Sequence, residues 1–264
     1  MPLDPNFVID TIYPAANSAY LIMTVPDPPL PEGFSLVGAI EAKPQQVQAL
    51  MAKATPAQHR MVNSMLSDSN IFGLVAWNAE EKTAMAAFRG TIDMTEWIED
   101  FDAVAVPYTA ASGIGLVHMG FQLVYQHVRQ SLAQLLASGC AGAARILITG
   151  HSLGAALAIL SGFDIARNDI QSVAPEFYTL AGPRTGAPDF AQKFNAAFPV
   201  CYRVVNFMDV VPQVPLPPLY EHVGTEVLIH GGFKPLDVTY AHHLTTYLAG
   251  LQKLLPAQAS ATSV

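Results

Sequence analysis

The most constraining feature of this chain is a short strand that is apolar on both faces, breaks at a glycine-flanked pentapeptide, and restarts as a helix. Arg145-Ile146-Leu147-Ile148-Thr149 offers apolar side chains to both sides, the pattern of a strand buried between two layers. Gly150-His151-Ser152-Leu153-Gly154 follows, and Ala155-Ala156-Leu157-Ala158-Ile159-Leu160 then reads as a helix built of small and aliphatic residues. Two further short apolar runs, Phe177 to Leu180 and Tyr202 to Val205, bracket a helix-like stretch from Asp189 to Phe198. Strands that alternate with helices in this way predict a mostly parallel central sheet covered by helices on both faces.

Upstream, Ile71 to Trp77 and Thr83 to Phe88 flank the turn-like Asn78-Ala79-Glu80-Glu81-Lys82 and predict a hairpin. Phe34 to Ile40 reads as a strand. Pro44 to Leu66 and Val117 to Leu136 have helical spacing, and so does the tail from Tyr240 to Leu255. Ala15 to Met23 fits either a helix or a short strand. No repeat or linker divides the chain, so a single domain over residues 1–264 is expected, with an irregular N-terminal extension to about residue 33 and a disordered tail from about 256.

The pentapeptide is a G-x-S-x-G sequence, which alone would occur by chance in roughly one chain of this length in ten. Its place between a buried strand and a helix is what gives it meaning. A sharp strand-to-helix turn leaves no room for side chains at Gly150 and Gly154, lifts the Ser152 hydroxyl out of the sheet, and sets helix N–H groups beside it. Ser152 is therefore the candidate nucleophile. A serine needs a base, and the base needs an orienting acid, in the chain order Ser, acid, His on such a sheet. Asp209 follows the buried run Tyr202-Arg203-Val204-Val205-Asn206, at the carboxyl end where functional groups of parallel strands gather. Asp164 and Asp189 lie in or beside predicted helices and read as a solvated face or a cap. Of the later histidines, His242 and His243 precede a C-terminal helix, and the residues alone do not separate them.

Composition removes several alternatives. The chain has 264 residues, 51% of them hydrophobic and 13% charged, too apolar for disorder. Its net charge is −8, and no Lys/Arg cluster suggests a nucleic-acid partner. No apolar run reaches the 18 residues that would suggest a spanning helix. The first residues lack a signal peptide's basic and apolar blocks, so the sequence reads as a mature secreted form or an intracellular protein, with secretion favoured. Cys140 and Cys201 fall on either side of the Phe177 to Leu180 strand, too far apart for a disulfide, and no Cys/His set has metal-site spacing.

Several separated blocks together resemble the lipase class 3 family, the fungal-type lipases of the α/β-hydrolase fold. They are Ala87-Phe88-Arg89-Gly90-Thr91, Trp97 with Asp100, Val117-His118-Met119-Gly120-Phe121, the serine pentapeptide with its helix, Tyr178 to Gly186, Arg203 to Asn206 with Asp209, and Tyr220 to Gly224. The resemblance implies Ser152 as nucleophile, Asp209 as triad acid, and a histidine shortly before a tyrosine in the last helix. His242 with Tyr247 and Leu248 fits that spacing, with His243 as the alternative. It further implies an oxyanion hole from the backbone N–H groups of Thr91 and Leu153, no cofactor, and supporting roles for His118, His151 and His222.

Beyond Thr91, Met94, Trp97, Ile98 and Phe101 share one helix face and the other face is acidic. In related lipases this segment is a lid; the alternative is a fixed amphipathic helix. The implied reaction is hydrolysis of acylglycerols through an acyl-enzyme, with transient contact at a lipid–water interface. The alternative is a soluble short-chain or feruloyl-type esterase on small ester substrates.

Overall fold

The computed structural model describes residues 2–42, 69–91, 104–235 and 239–256, together with residues 56, 59 and 237. Strands β1 (Ser35–Glu41), β2 (Ile71–Asn78) and β3 (Thr83–Phe88) come first, then β4 (Ala105–Pro107) and β5 (Leu116–His118). Strands β6 (Arg145–His151), β7 (Glu176–Leu180), β8 (Cys201–Asn206) and β9 (Thr225–Ile229) complete the set. Seven of them form one sheet in the order β1-β2-β3-β6-β7-β8-β9, and β4 pairs with β5 separately. The β1/β2 and β2/β3 pairs are antiparallel, and every pair from β3 to β9 is parallel. The expected hairpin and the mostly parallel sheet are both present.

The alternation of side chains explains the two covering layers. In β6, Ile146 and Ile148 enter one core while Leu147 enters the other. In β3, Ala84, Ala86 and Phe88 face the first core, and Met85 and Ala87 the second. The first core is closed by α2 (Met119–Gly139), α3 (Leu153–Arg167) and α4 (Pro188–Ala197). The second is closed by α1 (Tyr13–Leu21) and α5 (Leu244–Gln252). The alanines of β3 leave space for helices to sit close on both sides.

The N-terminal stretch is more ordered than its sequence suggests. A helical turn at Pro5–Phe7 and a π-helical segment Val8–Ile12 lead into α1. Val8, Ile12, Ala15, Ala16 and Ala19 are fully buried on one side of this run. Their 4-, 3- and 1-residue steps trace a helix face that Pro5 and Pro14 disguise, since proline suits a first turn as well as a loop. At the other end, the region expected to be one helix from Tyr240 is a 3₁₀ turn, Tyr240–His242, followed by α5 from Leu244. Leu116 to His118, at the predicted start of α2, is instead β5, and the edge strand β9 had no counterpart in the sequence reading. The Pro44 to Leu66 helix falls almost wholly outside the described residues, and the segment from Asp93 to Asp102 and the tail after residue 256 lie outside them.

Cys140 and Cys201 are free and buried. Cys140 lies against the Ala76 carbonyl of β2, and three strands separate β2 from β8, which Cys201 opens.

Asp164 is a correction to the sequence reading. It is not on a solvated face but fully buried on α3. Its carboxylate accepts from Tyr125 Oη at 2.7 Å, Arg129 Nε at 2.9 Å and Asn168 Nδ2 at 2.6 Å. A buried carboxylate is tolerated only when so paired. It ties α2 to α3, the helix that follows Ser152. Asp164→Ala leaves Tyr125 and Arg129 without their acceptor and should destabilise the fold by about 3 kcal/mol, read as a lower urea midpoint at unchanged slope.

Candidate active site

Parallel strands end at the same edge of a sheet, so the loops after β3, β6 and β8 converge there. The pairing of Phe88 with Gly150 and of His151 with Leu180 sets those ends level. Arg89-Gly90-Thr91 leaves β3, Ser152 leaves β6, and Asp209 lies three residues beyond β8.

Ser152 sits at φ 60°, ψ −127°, in the left-handed half of conformational space, at the bend between β6 and α3. For a residue with a Cβ this conformation costs on the order of 1–3 kcal/mol. The glycines on either side make the bend possible. A Cβ at Gly150 would strike the Gly154 carbonyl, and one at Gly154 would strike the Phe88 carbonyl of β3. Ser152 N–H donates to Leu180 O at 3.0 Å, fastening the bend to β7. Leu153 is the first residue of α3, so its N–H is one of the donors that a helix start leaves unused by its own turn.

Asp209 is 2% exposed and its carboxylate is saturated. His242 Nδ1 lies 2.8 Å from Oδ2 and 3.0 Å from Oδ1, Tyr247 Oη–H donates to Oδ2 at 2.6 Å, and Val211 N–H donates to Oδ1 at 3.0 Å. A carboxylate only accepts, so Nδ1 carries a hydrogen, and in the neutral ring Nε2 is the nitrogen with the lone pair. Nε2 is buried with no hydrogen-bond partner among the described residues. Burial and the negative charge of Asp209 push the Tyr247 phenol well above its ordinary pKa, so it remains a donor. His243, by contrast, is exposed, and among the described residues its Nε2 has a hydrogen-bond partner only in Thr239 Oγ1, at 3.4 Å.

Two features of this arrangement lie beyond the sequence reading. Asn206, the last residue of β8, donates through Nδ2 to Ala241 O at 2.8 Å and to Gly232 O at 3.1 Å, tying the histidine turn to the strand that leads to Asp209. Tyr247 entered that reading only as a spacing marker, yet its hydroxyl also accepts from Asn206 N–H at 3.1 Å. The signal was available, since one α5 side chain five residues after His242 was the marker that singled that histidine out.

Thr91 lies next to the serine bend. The position of a Cβ on Gly90 would be 2.8 Å from Ser152 Cβ and 2.9 Å from His151 O, so only glycine lets the β3 loop approach this closely. Thr91 Oγ1 is buried without a partner among the described residues.

The three histidines to which the resemblance gives supporting roles each make a contact of their own. His118 caps α2, its Nδ1 accepting from Phe121 N–H at 3.4 Å. His222 Nε2–H donates to Pro212 O at 2.8 Å. His151 lies against His242, with ring centroids 4.6 Å apart.

A mostly parallel sheet covered by helices on both faces, with the Ser152 bend, the Asp209–His242 pair and the Arg89-Gly90-Thr91 loop at its carboxyl edge, is the arrangement of the α/β-hydrolase fold. The chain belongs to the class 3 lipases, whose family profile matches residues 85–218. Over 229 residues it is 32% identical to phospholipase A1-II 6 of Oryza sativa subsp. japonica, covering 70% of this chain and 56% of the relative. It is 32% identical over 172 residues to the lipase of Rhizomucor miehei, covering 63% and 47%. Among solved structures, the Rhizomucor miehei lipase propeptide complex superposes with a TM-score of 0.55 at 26% identity, over 82% of this chain and 80% of that one. The chain thus spans about half the length of the curated relatives it matches.

Burial keeps two histidines neutral here. It drives His151 well below its ordinary pKa, helped by His242, and pushes His222 down to about 3, helped by Arg203. In the unfolded chain both titrate near 6.5. The unfolded state therefore binds more protons below that pH, and the stability these groups contribute is complete above pH 6.5 and lost as the pH falls below it, for His222 down to about 3. Each should cost up to about 1.4 kcal/mol per pH unit in that window. Urea unfolding of wild type and His222→Gln at pH 7.5 and 4.5 should show a shallower acid loss in the variant.

Proposed function

We propose that the protein is a serine lipase that hydrolyses acylglycerols, with Ser152 as nucleophile, His242 as base and Asp209 as orienting acid. The observation that carries this reading is the Asp209–His242 pair, with the Nε2 lone pair unused, at the same sheet edge as the strained Ser152 bend.

In the first half-reaction, His242 Nε2 takes the Ser152 proton as Oγ attacks the ester carbonyl carbon. The resulting imidazolium is stabilised by Asp209, which Tyr247 and Val211 hold in place. The carbonyl oxygen gains negative charge and is held by the Leu153 and Thr91 backbone N–H groups, with the Thr91 hydroxyl able to add a third bond. The tetrahedral intermediate collapses and the C–O bond breaks. His242 returns the proton to the departing alcohol, leaving the acyl group on Ser152. Water then attacks by the same route, and the carboxylic acid is released.

The lipid character of the substrate is supported by the loop that carries Asp209. Phe207, Met208, Val210, Leu216 and Leu219 are exposed large apolar residues on one loop. Between Phe207 and Leu219 the only charged residue is the buried Asp209. Apolar side chains concentrated beside a reaction site suit contact with acyl chains or a lipid surface better than with water. Among the described residues no helix is long and apolar enough to cross a membrane.

Hydrolysis of an ester series from acetyl to oleoyl, followed through each solubility limit, tests both parts. Ser152→Ala should lose at least about 10⁴-fold in kcat, and the wild type should gain rate as long-chain substrate aggregates. A rate that falls steadily with chain length and shows no such gain would point instead to a soluble short-chain esterase. Tyr247→Phe, which removes one of three donors to Asp209, should lower kcat about tenfold at nearly unchanged KM.

A further inference from the structure

The N-terminal helix lies outside residues 85–218, the part matched by the family profile, yet one of its side chains reaches the centre of the site. Tyr20, near the end of α1, places its hydroxyl 2.8 Å from His151 Nδ1. The other ring nitrogen, Nε2, lies 2.8 Å from the backbone carbonyl oxygen of His242. A carbonyl can only accept, so Nε2 must carry the hydrogen. Nδ1 of the neutral ring is then the acceptor, and the Tyr20 hydroxyl donates to it. The direction of every hydrogen in the chain Tyr20, His151, His242 is thereby fixed.

The same phenol oxygen sits against the loop that carries Thr91. A Cβ on Gly90 would lie only 2.5 Å from Tyr20 Oη, and the Gly90 backbone interacts with that oxygen. One hydroxyl thus touches the residue before Thr91 and the residue before Ser152, and acts through His151 on the backbone of the base.

We propose that Tyr20 is a positioning residue for the reaction: its hydroxyl donates to His151 Nδ1 and so holds in place the ring whose Nε2–H grips the His242 backbone, and it seats the Gly90–Thr91 loop beside Ser152. Without that hydroxyl, the buried His151 Nδ1 loses its donor, and the ring is held against the His242 carbonyl from one side only. The turn that aims His242 Nε2 would lose its anchor on the serine side, while its bonds to Asn206 through Ala241 O and to Thr246 through Tyr240 O remain. The expected loss is in turnover, because Tyr20 acts on the reacting groups through other residues and not on the bound acyl chain.

This inference rests on the proposed triad, and the experiment separates the two. Turnover of a soluble p-nitrophenyl ester is measured for wild type, Tyr20→Phe, Tyr13→Phe and Ser152→Ala. Rates are expressed per site titrated with a p-nitrophenyl phosphonate, except for Ser152→Ala, where they are expressed per mole of protein. Tyr20→Phe should lower kcat per titrated site about tenfold, as expected for one lost buried hydrogen bond, with KM within about twofold. Tyr13→Phe, on the same helix but without a bond into the site, should match wild type. His151→Gln, which keeps a donor and an acceptor, should retain more turnover than His151→Leu. If Tyr20→Phe reduces only the titrated fraction or the melting temperature, with wild-type turnover per site, Tyr20 is merely structural and the inference fails. Equal turnover in His151→Gln and His151→Leu would also overturn it. Substantial activity in Ser152→Ala would instead overturn the triad itself.

Discussion

The site depends on a close packing of backbones at Ser152. A serine at φ 60° is held there because β6 and α3 meet at a bend with no room for a Cβ on either side. The bend is bonded to β7 through Leu180 and pressed against β3 at Phe88. Since β3, β6 and β7 are neighbours at the centre of the sheet, relaxing the strain would require the middle of the sheet to move. The interior is packed too tightly for that, so the strain persists. The hydroxyl is therefore presented at a fixed point, and the loops after β3 and β8 have only to reach it.

They do so because the sheet is parallel from β3 to β9. A parallel sheet puts its carboxyl ends on one side, and the two cores hold the strands in register by alternating side chains between opposite faces. Asp209 and His242 are 33 residues apart in sequence, yet two residues secure their meeting. Asn206 closes β8 and grips the histidine turn, and Tyr247 in α5 bonds to both Asp209 and the Asn206 backbone. The apolar core positions the elements, and a few fully satisfied polar groups fix the last ångström.

What the sequence disclosed follows from this division. Buried strands and the glycine-flanked serine leave strong local patterns, so β2, β3, β6, β7, β8 and α3 were legible, and so was the aspartate at the end of β8. The choice between His242 and His243 was not a local matter, because neighbouring residues on a turn differ only in which way the turn faces. A family spacing to Tyr247 pointed to His242, and the structure shows the packing behind that spacing: Tyr247 and His242 share Asp209. Asp164 was misread because a buried carboxylate on α3 and an exposed one look alike in sequence; what distinguishes them is Arg129 on another helix. The N-terminal helix was obscured by prolines that fit its first turns, and with it the reach of Tyr20 into the site.

His151 occupies the variable position of the pentapeptide, and its chemistry limits what that position can be. In the proposed reaction His242 becomes a cation each time Ser152 is deprotonated. Its ring centroid is 4.6 Å from that of His151, and two unit charges at that distance repel by about 3–4 kcal/mol at an effective dielectric constant of 20. A protonated His151 would spend much of the stabilisation that Asp209 supplies to the imidazolium. Two things keep it neutral. Burial disfavours its charged form, and the Tyr20 hydroxyl donates to the nitrogen that would otherwise take the second proton. A histidine at this position can therefore hold the base by a hydrogen bond without competing with it for charge.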